Sequence, residues 1–168
     1  MTEFPEFPVA GVTGLEHTAD IGMEVDAPTL QELFRRGGLG AMWLVLEREA
    51  VGGASPAPSV LRDPPLSLPE TRRVELVEED LPSLFRSWLR TLLFWEETEG
   101  FVASEFALSF APVPLCSAPD GQTFGVTARV GGVFDTGPRV REIKGVTLHD
   151  LRVERIGEGW RGRVIFDV

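Results

Sequence analysis

The sequence predicts an α+β fold, a two-layer sandwich in which two main helices pack on a mostly antiparallel sheet within a single domain. Three observations predict it. The patterns run strand, helix, strand, helix and then four strands, an order that suits helices gathered on one side of an antiparallel sheet. Both helical stretches carry their own start signals, and the second closes on a glycine. The length of 168 residues fits one domain with a full core, and no internal repeat or boundary divides it.

The elements follow in order. Residues 1–12, rich in acid and proline, read as a loose N-terminal arm. Ile21, Met23 and Val25 alternate with Gly22, Glu24 and Asp26, the period of a half-buried strand. Thr29 followed by Glu32 is a capping-box signature, and Leu30, Leu33, Phe34, Gly37, Ala41, Leu44 and Val45 then share one helical face. Gly37, Gly38 and Gly40 each cost about 1 kcal/mol against alanine in a helix, so they read as close packing against a sheet. Residues 50–70 carry too many glycines and prolines for a long regular element and read as a surface excursion, with a short strand near Val60. A strand returns over Thr71–Val77. Asp80 as N-cap and Pro82 in the first turn open a second helix ending near Gly100, whose Leu84, Phe85, Trp88, Leu92 and Trp95 have core spacing. Phe101–Phe110 and Thr123–Val130 are strands around an Asp120-Gly121 turn, and Gly131–Pro138 reads as a loop.

The final stretch, Ile143–Val168, forms a hairpin around Gly157-Glu158-Gly159. Its pattern pairs Val153 with Gly162 and Glu154 with Arg161. Continued outward, the register sets Leu151 against Val164, His149 against Phe166 and Leu148 against Asp167. Arg152 then faces Arg163, a poor pair unless Asp150 or Glu154 compensates diagonally. A shift by one residue would put Val153 opposite Arg163, so the first register is preferred. In it Lys144 shares a face with Asp167, and His149 points the other way.

Composition narrows the function classes. A net charge of −10 argues against a direct grip on nucleic acid and leaves room for a cation or a basic partner. A single cysteine, Cys116, excludes an internal disulfide and fits a reducing compartment. The N-terminus is unlike a signal peptide and no apolar run approaches a membrane span, so a cytoplasmic location is expected. No Ser-His-Asp set, Cys-x-x-Cys pair or phosphate-cradling glycine loop is visible.

Three oxygen donors stand out. Asp167 and the α-carboxylate of Val168 lie side by side, and Asp20 begins a strand after His17-Thr18-Ala19. Hard oxygen donors suit magnesium, calcium or manganese rather than zinc. The competing assignment is that Asp167 faces solvent and Asp20 caps a turn. Lys144 is the one lysine among sixteen basic residues, in a chain that otherwise uses arginine. A lysine offers a compact charge of tunable pKa, yet one lysine has to lie somewhere. His17 and His149 are equally open to structural roles.

At these residues the sequence resembles a known family. Glu16-His17-Thr18-Ala19-Asp20-Ile21-Gly22 resembles the amino-terminal signature of the archease family. Lys144-Gly145-Val146-Thr147-Leu148-His149 is similar to that family's Lys-Ala-Val-Thr-Tyr-His segment, and Val164–Val168 to its carboxyl end. Trp88-Leu89 through Phe101 is similar to its second helix. The resemblance runs from residue 14 onward. It implies a small accessory protein, not an enzyme, that activates the RtcB-type RNA ligase of tRNA splicing and RNA repair. Such proteins promote the ligase's guanylylation and its multiple turnover, while the ligase itself uses GTP and manganese. The resemblance further implies a metal site at Asp20, Asp167 and Val168, with calcium foremost and magnesium or manganese next, and a functional role for Lys144. Contact with RNA would be indirect or through the ligase. Gly145 and Leu148 depart from the family's alanine and tyrosine, and residues 50–70 have no counterpart. Two other functions compete: a stand-alone metal-dependent phosphoesterase or nuclease, and a general chaperone-like interaction protein.

Overall fold

The computed structural model describes residues 7–16, 20–46, 69–114 and 122–168. Its elements are β1 (Val12–Glu16), β2 (Ile21–Ala27), α1 (Leu30–Leu46), β3 (Glu70–Glu78), α2 (Leu81–Glu99), β4 (Phe101–Pro114), β5 (Gln122–Phe134), β6 (Gly145–Val146), β7 (Arg152–Ile156) and β8 (Gly159–Asp167). The expected α+β class holds: the described residues form two helices, and every strand pairing among them is antiparallel. The strands divide into two sheets. One runs β1-β2-β8-β6, with β7 also on β8, and the other runs β3-β5-β4. The helices pack on each other, and each touches strands of both sheets.

The helices begin and end where local chemistry says they should. The Thr29 hydroxyl accepts the Glu32 amide at 3.1 Å, capping α1. The return arm of the capping box is absent, because the Glu32 carboxylate instead takes the guanidiniums of Arg35 and Arg36, each with one contact of 2.8 Å. Burial pushes the Glu32 carboxyl up, but those two arginines outweigh it and hold the group below the usual carboxylate range. In α2 the Asp80 carboxylate accepts the Ser83 amide at 2.7 Å, and Gly100 closes the helix at φ 68, a left-handed conformation suited to glycine.

The α1 glycines are packing sites, against the sheet as expected at Gly40 but against the second helix at Gly37. A Cβ at Gly37 would lie 2.6 Å from the Phe85 ring of α2, and one at Gly40 would lie 2.5 Å from the Met23 sulfur of β2. The helix therefore approaches both its partner helix and the first sheet with no side chain between. Met23, Val25, Val164 and Phe166 line the sheet side of this core, and Leu33, Phe34, Phe85, Trp88 and Leu92 line the helix side. Each such buried side chain contributes roughly 1.5–3 kcal/mol.

Three expectations need correction. The arm over 1–12 is not loose from Phe7 onward: Phe7 and Val9 are buried, the Phe7 ring lies 4.8 Å from that of Trp43, and Val12 already belongs to β1. Apolar contact with α1 wins over the proline-broken pattern. The loop expected over Gly131–Pro138 starts late, because β5 runs on to Phe134. Gly131 and Gly132 sit opposite a bulge in β4 between Ala103 and Glu105, and the Phe101 ring occupies the space a Gly132 side chain would fill. The third lies in the C-terminal register, next to the candidate site. Residues 50–68, with the short strand near Val60, and the Asp120-Gly121 turn lie outside the described residues.

Candidate functional site

Three strands meet at one end of the first sheet. β2 pairs with β8 in a register that sets Ile21 opposite Phe166, so Asp20, one residue earlier, falls beside Asp167. On the other side of β8, β6 sets Gly145 opposite Asp167 and Val146 opposite Phe166. Lys144 comes next. Its amide donates to the Asp167 carbonyl at 2.8 Å, and its ammonium donates to the main-chain oxygen of Val168 at 3.1 Å. The fold thus gathers Asp20, Asp167, Val168 and Lys144 at one sheet end, from segments more than a hundred residues apart in sequence. His17 and Cys116 lie outside the described residues.

The route by which Lys144 arrives differs from the expected one. From Arg152 to Arg163 the hairpin has the expected register, with Val153 opposite Gly162 and Glu154 opposite Arg161. Beyond it the register jumps. Phe166 faces Val146 rather than His149, and Asp167 faces Gly145 rather than Leu148. The Thr147 amide donates to the Ile165 carbonyl at 2.9 Å, and residues 148–151 loop out of the sheet. Charge explains the break. Arg152 stands opposite Arg163, and the Asp150 carboxylate sits between them, 2.6 Å from one guanidinium and 2.8 Å from the other. The second contact is an ion pair outside hydrogen-bond geometry. To reach both, Asp150 adopts φ 53, a left-handed conformation costing a non-glycine residue on the order of 1 kcal/mol. The like-charged pair is compensated, and Leu148 and His149 leave the sheet for the surface.

A further residue, which sequence reasoning missed, fixes β6. Arg86 of α2 donates from Nε to the Val146 carbonyl at 2.7 Å. β6 is only two residues long, so this bond and the Thr147 amide hold much of its position. Nothing near Arg86 in sequence signals a partner sixty residues on.

The donor set at this end is oxygen only: two carboxylates and main-chain oxygens. Among the described residues no group of three or more His, Cys, Asp or Glu side chains is placed to hold a metal. In kind such oxygen donors fit a hard divalent cation; Asp20, Asp167 and Val168 are the residues that would hold it, with water or a partner completing its shell. Beside Asp167, Gly145 has nothing within 4 Å of where a Cβ would project, and its φ is not positive. Gly145→Ala is therefore expected to fold unchanged and to gain about 0.4–1 kcal/mol, readable as a raised midpoint in urea unfolding.

The described residues that build this sheet end, Asp20–Gly22, Lys144–Thr147 and Val164–Val168, belong to the segments that carry the family resemblance. Residues 13–168 match the model of the Archease protein family. The chain belongs to the archease family. The archease of Methanosarcina barkeri is 27% identical over 157 residues, spanning 92% of this chain and 93% of its own. That of Thermococcus gammatolerans is 29% identical over 157 residues, with 91% and 95% covered. The solution structure of Methanobacterium thermoautotrophicum protein 1598 superposes with a TM-score of 0.65 at 26% identity, over 94% of this chain and 99% of that one. The archease fold is shared across that length. Among the described residues, no helix is long and apolar enough to cross a membrane.

Proposed function

We propose that this archease is a metal-binding accessory protein that activates an RtcB-type RNA ligase, promoting its guanylylation and multiple turnover in tRNA splicing or RNA repair. The observation that carries the reading is the meeting of the three family segments at one sheet end, with the Lys144 ammonium on the Val168 oxygen and Asp20 beside Asp167. A divalent cation, calcium foremost, would be held by Asp20, Asp167 and Val168 and would supply positive charge to an otherwise acidic surface. The rest is the work of the chain's own groups. Asp20 and Asp167 repel one another unless a cation or basic group intervenes, so they select for positive charge at this end. Lys144 contributes an ammonium at the same edge, in reach of a phosphate or nucleotide bound by the partner. Arg86 and the Thr147 amide hold the β6 backbone that carries it. The acidic balance of −10 favours a basic protein partner and leaves contact with RNA to that partner.

The direct test is guanylylation of a purified RtcB-type ligase with GTP and manganese, in the presence of wild-type protein or its Asp20→Ala, Asp167→Ala and Lys144→Ala variants. Each variant is expected to lose about tenfold or more of the stimulation, the scale for removing a charged group from a functional contact. Full stimulation by all three would sink the reading. RNA or nucleotide turnover by the purified protein without any ligase would replace it with a phosphoesterase or nuclease.

A further inference from the structure

We propose that the loop following β6 is a preformed docking finger, and that its exposed Leu148 enters an apolar slot on a basic partner protein. The inference rests on the ligase-activator reading and names the surface by which that partner is engaged. Leu148 is 69% exposed, more than any other large hydrophobic side chain among the described residues. Its neighbours give it little cover, yet the backbone beneath it is tied at both roots. On one side the Arg86 guanidinium holds the Val146 carbonyl and the Thr147 amide is paired with Ile165. On the other, Asp150 at positive φ is clamped between Arg152 and Arg163. The Leu151 amide points back at the Leu148 carbonyl at 3.4 Å, closing the turn. A loop ordered before binding loses little conformational entropy on docking, so an apolar tip held this way suits recognition. Backbone strain retained under a bare leucine is the kind of feature found at functional sites.

Charge selects the occupant. A second copy of this chain carries the same −10, and an anionic membrane or a nucleic acid is likewise repelled. A protein that handles RNA ends carries a cationic surface near its site, which the acids around this sheet end complement. The finger springs from Val146, two residues from Lys144 and across from the Asp167 strand end. Seating Leu148 therefore brings Lys144, Asp20 and Asp167 to the same partner surface.

The experiment measures the affinity of the full chain for a purified RtcB-type ligase by biolayer interferometry, with thermal unfolding in parallel. Leu148→Ser is expected to weaken Kd about tenfold or more, as for an anchor residue, with an unchanged melting midpoint because the side chain covers no core. Leu148→Met, similar in volume, is expected to stay within about threefold of wild type. A Leu148→Ser affinity equal to wild type overturns the finger, and if Lys144→Ala still removes stimulation, the activator reading survives that failure. Absence of any ligase binding by the wild-type chain overturns both. A wild-type dimer that Leu148→Ser dissolves would assign the loop to self-association and overturn the proposal.

Discussion

Trp88→Ala is expected to lose about 3–5 kcal/mol of stability, the range for deleting a buried aromatic side chain. The indole is 0% exposed and lies between both helices and the second sheet, with ring centroids 6.4 Å from Phe34 and 5.5 Å from Phe106. Its Nε1 donates to the Phe34 carbonyl at 2.9 Å, tying α2 to α1 through a buried hydrogen bond. For a chain of this length the midpoint should fall by roughly 6–20 °C. Trp88→Phe separates the two contributions: it keeps most of the volume and loses the donor, with an expected cost of about 1 kcal/mol. A Trp88→Ala midpoint within experimental error of wild type would mean the two helices are not held as described. The consequence reaches the site, because Arg86 stands on the same helix and its bond to Val146 depends on where α2 lies.

The second large effect concerns the carboxylates. Removing Asp167 or Asp20 is expected to abolish stabilisation by calcium, and Asp167→Ala is expected to leave the calcium-free protein about as stable as wild type. The Asp167 side chain is exposed at a strand end, so its loss uncovers no core. A cation that binds only the folded chain adds about 2.7 kcal/mol at a hundredfold excess over its dissociation constant. Thermal unfolding with and without calcium therefore reads both terms in one experiment. Wild type should gain stability on calcium addition, and Asp167→Ala should gain none. An equal gain in both would take Asp167 out of the site.

Some of this was legible in the sequence, for physical reasons that differ by element. Thr29, Asp80 and Gly100 mark helix ends because a cap is satisfied within three or four residues of itself. The core stripe of α2 was legible because its period follows from helix geometry alone. The half of the hairpin next to its turn was legible because Val153, Gly162, Glu154 and Arg161 distinguish one register from its neighbours. What escaped depends on contacts distant in sequence or on a single unusual backbone angle. Phe7 and Val9 pack because of Trp43 and α1, which no local pattern reveals. The jump in register comes from Asp150 taking a left-handed conformation to bridge Arg152 and Arg163. The like-charged pair was visible, but its resolution by a looped-out segment was not. Hence the gathering of Lys144 with Asp167 was expected through the wrong pairing and arises through Gly145. Arg86 was invisible for the plainest reason, that its partner is a backbone carbonyl on another element.

On the proposed function, this archease acts on a ligase rather than on RNA itself. The measurement that tests it most directly counts ligated RNA ends per molecule of a purified RtcB-type ligase, with RNA in large excess and this protein added or withheld. The account predicts many ligations per ligase with the wild-type chain, a fall to the level of ligase alone with Lys144→Ala, and no RNA turnover by the chain on its own. The same count with and without the wild-type protein would contradict it.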